Sequence, residues 1–392
     1  MVINMKIKRT SWLSLLVVAC LLLSACSGEL PLNRRMIVQN AGVDEADGEF
    51  TLSVNAYLAD RAAAGEKETG SDVFFSRSGS SVTNAVERIG LVTGREPYFP
   101  HNQAVVIGST TAENGIGAAL SFFAEFFECR GSVPLFIAQG SAEDLLRGVG
   151  KDGSIPAREL SALSESGVQT GCAVYAEVFT AAQCLTDGER DFCVPILKTE
   201  QTGEEEARIA LDGTALFSGE KMVARLNEEQ TQGVLIASGS VQNVSLLLTV
   251  PENDTSRPMN AQVAVENIKT TVRCSQENEC IQFVLDVSCD AELAEWDFAV
   301  QTNPDDKAIA ALQGACEQEL LRRVKDAIRI AAQENGSDPF GFGRNIAQQM
   351  PEWWKAHRSE WKQTLPECDF SVKVSCNLKA GTMQPLGQKG KS

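Results

Sequence analysis

Apolar and polar residues along this chain alternate in two rhythms, and the change of rhythm marks the elements. Phe50, Leu52, Val54, Ala56 and Leu58 alternate with polar neighbours, the period of a strand with one buried face. Met36-Ile37-Val38 reads as a strand before it, and Asp47-Gly48 as the hairpin turn between the two. A polar loop over Ala62–Ser71 leads into a strand at Val73-Phe74-Phe75-Ser76. Val82, Val86 and Ile89 then recur at helical spacing towards Gly90 and Gly94. Gln103–Ile107 is a short apolar strand, Ile116, Leu120, Phe123 and Phe127 form the stripe of a second helix, and Val133–Ala138 is another strand. Ser141 with Asp144 resembles a capping box that opens a third short helix. The alternation predicts a mixed α/β domain to about residue 200, less regular over Ser154–Leu197.

Beyond the acidic break at Gly203–Glu206, Ile209–Phe217 and Met222–Ala224 read as strands around the turn Ser218-Gly219. Asn227 with Gln230 three residues on is a helix start, and Gly233 its stop. Val234–Val250 is β-rich, and Pro251–Pro258 is a linker by composition. Val263–Val272 and Ile281–Val287 are strands flanking a hairpin loop, Ser275–Glu279. A long helix over Asp305–Asn335 follows, its stripe running Ile309, Leu312, Cys316, Leu320, Val324, Ile328 and Ala331 up to Gly336. Asp338-Pro339 reads as the start of a further helix, and Pro351 as the start of one over Glu352–Gln363. Phe370, Val372, Val374, Cys376 and Leu378 form a last alternating strand. The fold class is α+β, three mixed α/β domains in series: 26–202, a small central domain and linker at 203–258, and 259–383, where an antiparallel sheet packs on the long helix. The tail 384–392 is expected to be disordered.

The first residues have a different character. Lys6, Lys8 and Arg9 precede an apolar run from Trp12 to Leu23, the layout of an export signal. The run is shorter than the ~20 residues a spanning helix needs. Leu23-Ser24-Ala25-Cys26 resembles the bacterial lipobox. That resemblance implies removal of residues 1–25, a diacylglyceryl group on the Cys26 thiol, and a body tethered outside a bacterial membrane. Two acyl chains anchor stably where one does not. The competing reading is an ordinary signal peptide with a chance cysteine.

Charge narrows the partners. The whole chain carries 35 Lys+Arg against 52 Asp+Glu, a net of −17, and loss of Lys6, Lys8 and Arg9 makes the mature part more acidic still. Such a surface repels nucleic acid and anionic headgroups, so no nucleic acid is expected and attachment falls to the lipid and a partner protein. Ten cysteines remain after Cys20 and Cys26, an even number that allows disulfides in an exported protein. Cys274 and Cys280 bracket the expected hairpin loop and form a candidate disulfide, which would stabilise by ~2 kcal/mol if unstrained; two free thiols are the alternative.

The chain offers little catalytic chemistry. No C-x-x-C pair occurs and only His101 and His357 are present, so no metal site and no cofactor are expected. Both histidines read as structural. Gly148-Val149-Gly150-Lys151-Asp152-Gly153 matches G-x-G-x-x-G by letter but follows a helix, which is the wrong context for a dinucleotide site. Gly341-Phe342-Gly343 lacks the Gly-Lys-Ser/Thr of a phosphate loop, and no G-x-S-x-G elbow occurs. Trp354 and Trp361, seven apart, fit a core-facing stripe better than a ligand-stacking platform.

The last third carries a specific signal. Ser337-Asp338-Pro339-Phe340-Gly341-Phe342-Gly343, then Pro351-Glu352-Trp353-Trp354, then Trp361 and Leu365-Pro366, resembles the C-terminal domain of the Ger(x)C family, the C subunits of nutrient germinant receptors of bacterial endospores. Leu211–Phe217 with Leu226–Gly233 resembles the family's central segment, and Met36–Asp44 with His101–Gly108 its N-terminal part. The resemblance spans nearly the whole mature chain, lipobox included. It implies a non-enzymatic, three-domain lipoprotein on the outer face of the inner spore membrane, beside membrane-embedded A and B subunits that sense nutrients and pass ions. It carries over no catalytic residue and leaves open whether a small molecule binds directly. A solute-binding lipoprotein of an importer is the alternative and calls for two similar α/β lobes; a cell-wall hydrolase calls for a placed acid or metal.

Overall fold

The computed structural model describes residues 34–58, 72–125, 129–147, 157–201, 207–251, 258–278, 280–296 and 306–379. Cys26, the G-x-G-x-x-G letters at 148–153 and the tail at 384–392 lie outside them. The described residues form two sheets. The first is built from β1 (Arg35–Ala46), β2 (Glu49–Tyr57), β3 (Asp72–Gly79), β4 (Glu96–Tyr98), β5 (Ala104–Gly108), β6 (Leu135–Ala138), β7 (Cys193–Gln201), β8 (Ala207–Ser218) and β9 (Lys221–Leu226). Its order is β3-β2-β1-β5-β6-β7-β8-β9, with β4 paired to the start of β1. β1, β5, β6 and β7 run parallel through the centre, and antiparallel pairs flank them on both sides.

A parallel centre is buried on both faces, which explains why β5 and β6 are apolar at every position instead of alternating. Val105 and Ile107 point to one face, where α1 (Val82–Thr93), α2 (Ser109–Asn114), α3 (Gly117–Glu125) and α6 (Val178–Asp187) supply Ile89, Ala112, Phe123 and Val178. Ala104 and Val106 point to the other, against Leu146 of α4 (Ala142–Arg147) and Leu160 of α5 (Ala157–Gln169). The Asp47-Gly48 hairpin stands as expected, with both residues at positive φ.

The second sheet has the order β10 (Val244–Pro251), β11 (Pro258–Glu277), β12 (Cys280–Trp296), β13 (Asp369–Lys379). Its inner face carries Phe283, Leu285, Val287 and Leu378 against α8 (Asp306–Ile328), which places Leu312, Cys316, Leu320 and Val324 in the same core. The long helix is thus where its stripe predicts, closing in a π turn over Arg329–Glu334 before Gly336 at φ 57°. Three expectations change. β13 is parallel to β12, so the sheet is mixed and not wholly antiparallel. A parallel neighbour needs a long crossover, and the helices between Asp306 and Glu367 provide it. Among the described residues of 203–258 there is no separate sheet: β8 and β9 extend the first sheet, whereas β10 edges the second. Gly233 is no stop, because α7 (Glu228–Ala237) runs straight through it. A Cβ there would sit 2.3 Å from the carbonyl oxygen of Arg323, so glycine lets α7 and α8 touch by their backbones. Among the described residues no helix is long and apolar enough to cross a membrane.

Candidate functional site: the junction of the two sheets

The residues that carry the family resemblance converge where the two sheets meet. After Gly336 the chain enters Ser337 and Asp338, both buried on the end of the first sheet, and then half-buried Pro339. Ser337 Oγ donates to the Phe217 carbonyl at 2.6 Å. Asp338 does not begin a helix, as its Pro neighbour suggests; α9 (Phe342–Gln349) starts four residues on, from Gly341 at φ 75°. The Asp338 carboxylate reaches forward instead and accepts the first free N–H groups of α9, from Phe342 at 2.9 Å and Gly343 at 2.7 Å. The indole N–H of Trp361 donates to the same carboxylate at 3.2 Å. α9 is followed by α10 (Pro351–His357) and, after a turn of 3-10 helix, α11 (Trp361–Thr364).

Asp191, in the loop before β7, answers from the other side. Its backbone N–H donates to the Asp338 carbonyl at 2.9 Å, and its carboxylate accepts the Asp338 N–H at 3.0 Å. Its second oxygen accepts Gly219 N–H at 2.6 Å and Lys362 Nζ at 3.1 Å. Both aspartates are buried, and each of these donors is an N–H, so each carboxylate is held by a cage of positive dipoles. Burial pushes the Asp338 carboxyl up to about 6, against the pull of the Gly343 and Phe342 N–H groups and with the Asp191 charge adding to the rise. Gly343 completes the joint: a Cβ would lie 2.7 Å from the Glu189 carbonyl and 2.8 Å from the Trp354 ring. Phe342 fills the space beneath, with ring centroids 4.6 Å from Phe283 and 5.1 Å from Phe370.

The other family segments act in the same way. Asp44 ends the β1 motif, and its carboxylate accepts Ala142 and Glu143 N–H groups at 2.9 Å each, capping α4. Gly108 ends the β5 motif because a Cβ there would stand 2.0 Å from Asp44 Oδ1. In the central motif Gly213, at φ 83°, lets the Leu226 carbonyl approach to 2.2 Å of its missing Cβ. Asn227 and Gln230 form the capping box expected of them, at 3.0 and 2.9 Å. Arg323 of α8 is buried against Gln232 and Glu319, the latter at 2.7 Å, which ties α7 to α8.

The remaining candidates fall elsewhere. Cys274 pairs in register with Phe283, and Cys280 with Glu277. β11 and β12 run further towards the turn than the sequence suggests, so the two cysteines lie on opposite faces of the hairpin and are not brought together; both thiols are free. His101 is exposed beside Tyr98, and His357 stacks on Trp353 with its Nδ1 2.9 Å from that residue's carbonyl. Trp354 and Trp361 are buried and meet edge to face at 5.8 Å, in the core. Among the described residues no group of three His, Cys, Asp or Glu could hold a metal ion. A cavity of about 180 Å³ opens beside the joint, between Tyr175, Cys184, Arg190, Val234 and Pro339. It is smaller than the ~300 Å³ at which ligand pockets begin.

Comparisons with known proteins agree with this layout. The chain is 17% identical over 382 residues to the putative spore germination protein YfkR of Bacillus subtilis strain 168, covering 92% of this chain and 94% of that one. It is 22% identical over 306 residues to the spore germination protein YndF of the same organism, covering 77% and 73%. The crystal structure of the GerBC protein superposes with a TM-score of 0.56 at 19% identity, covering 86% of this chain and 96% of that one, and shows the same fold. The model of the spore germination protein N-terminal domain matches residues 28–199, and that of the spore germination B3/GerAC-like C-terminal domain matches 212–381. Matched by both in order along most of its length, the chain belongs to the GerAC-like family of spore germination proteins.

Proposed function

We propose that this protein is the non-enzymatic lipoprotein subunit of a nutrient germinant receptor. Lipid on Cys26 tethers it to the outer face of the inner spore membrane, where it holds membrane-embedded A and B subunits in a competent arrangement. The observation that carries the reading is the joint. The boundary between the two family models falls between β7 and β8, yet these strands pair antiparallel in one sheet. Across the same boundary Asp191 and Asp338 lock backbone to backbone. The family motifs therefore serve to make one stiff body out of two segments. A stiff body that fixes the distance between partners acts by proximity, and a tether raises its local concentration at them to the millimolar range.

Photo-cross-linking from surface positions in intact spore membranes, followed by mass spectrometry, tests this. The expected adducts are two multi-span proteins encoded beside this one. Adducts only with a permease and its ATPase would replace the reading with that of an importer's binding lipoprotein.

A further inference from the structure

Three cysteines that belong to none of the family motifs meet behind the second sheet. Cys289 of β12 and Cys376 of β13 are register partners, and both lie on the inner face. Cys316 of α8 packs onto that face, and its Sγ stands 3.7 Å from Sγ of Cys376. All three thiols are buried and free. A single buried cysteine is a small hydrophobe and needs no other account. Three arriving from three elements, with Cys316 and Cys376 60 residues apart in the chain, make a site.

The geometry selects one pair. A disulfide needs Cβ atoms ~3.8 Å apart with their bonds turned towards one another. Cys289 and Cys376 sit side by side on parallel strands ~4.8 Å apart, so their Cα–Cβ bonds point the same way. Cys316 meets Cys376 across the helix–sheet interface, where their sulfurs, 3.7 Å apart, have to close to the ~2.05 Å of an S–S bond. The thiols also differ in acidity. Hydrogen bonds from Cys289 and Cys316 hold Cys376 below the usual thiol range, and the same contacts, with burial, push those two above it. Of the three, Cys376 gives up its proton most readily, and the thiolate is the attacking form.

We propose that Cys316 and Cys376 form a disulfide that staples α8 to β13, made by exchange with an organic disulfide. Cys376 gives up its proton, and its thiolate attacks one sulfur of the oxidant RSSR, forming a mixed disulfide and releasing RS⁻. Cys316 gives up its proton, and its thiolate attacks the Cys376 sulfur, expelling the second RS⁻. Two cysteine thiols are oxidised to one S–S bond, one RSSR is reduced to two RSH, and the two cysteine protons end on the leaving thiolates. The oxidising surroundings in which this occurs rest on the export reading above; the pairing rests on the geometry alone.

The test uses the full purified chain, reduced and then incubated with oxidised glutathione in mildly alkaline buffer. After an acid quench, remaining thiols are alkylated and the digest is mapped by mass spectrometry. The expected result is one linked peptide pair, Cys316 with Cys376, retained in Cys289→Ser and lost in Cys316→Ser. The melting temperature of the parent should rise on oxidation, and that of Cys316→Ser should not move. Full alkylation of both cysteines, adducts with glutathione alone, or Cys376 linked to Cys289 would overturn the staple. This reaction is blind to where the protein resides. Protein recovered from spores with residues 1–25 still attached would sink the export reading and leave the staple standing.

Discussion

Replacing Asp338 with alanine removes one carboxylate from three buried donors at once: the N–H groups of Phe342 and Gly343 and the indole N–H of Trp361. Leaving a buried donor unmet costs ~1–3 kcal/mol, so three cost ~3–9 kcal/mol together. Part of this is returned. The carboxyl is raised from 3.8 to about 6 by burial, and holding it ionised at neutral pH costs roughly 3 kcal/mol at 1.36 kcal/mol for each unit. The expected loss at neutral pH is therefore about 0–6 kcal/mol, at its upper end a large fraction of the ~5–15 kcal/mol that holds a protein folded. The pH dependence has a definite sign. The folded carboxyl keeps its proton up to about 6, whereas the unfolded one loses it near 3.8, so the folded state binds more protons between them. The parent then loses stability as pH rises through this window, and Asp338→Ala lacks that slope. The gap between the two should be widest near pH 4 and narrow by neutrality. Urea unfolding followed by tryptophan fluorescence reads both quantities, with Trp361 reporting at the site itself. A loss below ~1 kcal/mol with no change of slope would refute the joint as drawn.

Three further substitutions separate the parts of the account. Gly233→Ala should destabilise by ~1–3 kcal/mol in thermal melting although alanine favours helices by ~1 kcal/mol, because its Cβ meets the Arg323 backbone. Asn227→Ala should cost about 1 kcal/mol through loss of the α7 capping box, measured in the same way. Lys362→Ala should change stability by less than ~1 kcal/mol, since its side chain is half exposed and its bond to Asp191 is screened by water.

The parts of the fold that were legible in the sequence are those where one face of one element decides the pattern. Phe50 to Leu58 alternate because one face of β2 meets the core, although Ser53 and Asn55 on its other face are buried as well, and Ile309 to Ala331 step by threes and fours because α8 has one apolar face. What was not legible depends on partners far along the chain. Glycine at 233 fits a helix stop as well as a close helix crossing, and only the presence of α8 decides. Asp338 followed by proline fits a helix start, yet its carboxylate caps a turn four residues later. Nothing local told β8 and β9 to join the first sheet, or placed Cys274 and Cys280 out of register. Asp191 was missed altogether, since Glu189-Arg190-Asp191 carries no periodic signal and its role is set by N–H groups at positions 219 and 338. Cys316 and Cys376 already stood on apolar stripes, but their meeting is a property of the packing.

The claim at the centre is that a body without catalytic chemistry serves germination from its lipid anchor. Spores lacking this protein, in a background without redundant receptors, measure it most directly when complemented with the parent or with Cys26→Ala. The account predicts normal, heat-resistant spores in every case. It predicts nutrient-triggered germination restored by the parent and not by Cys26→Ala, with germination by receptor-independent agents intact throughout. An unchanged nutrient response in the deletion strain would contradict it.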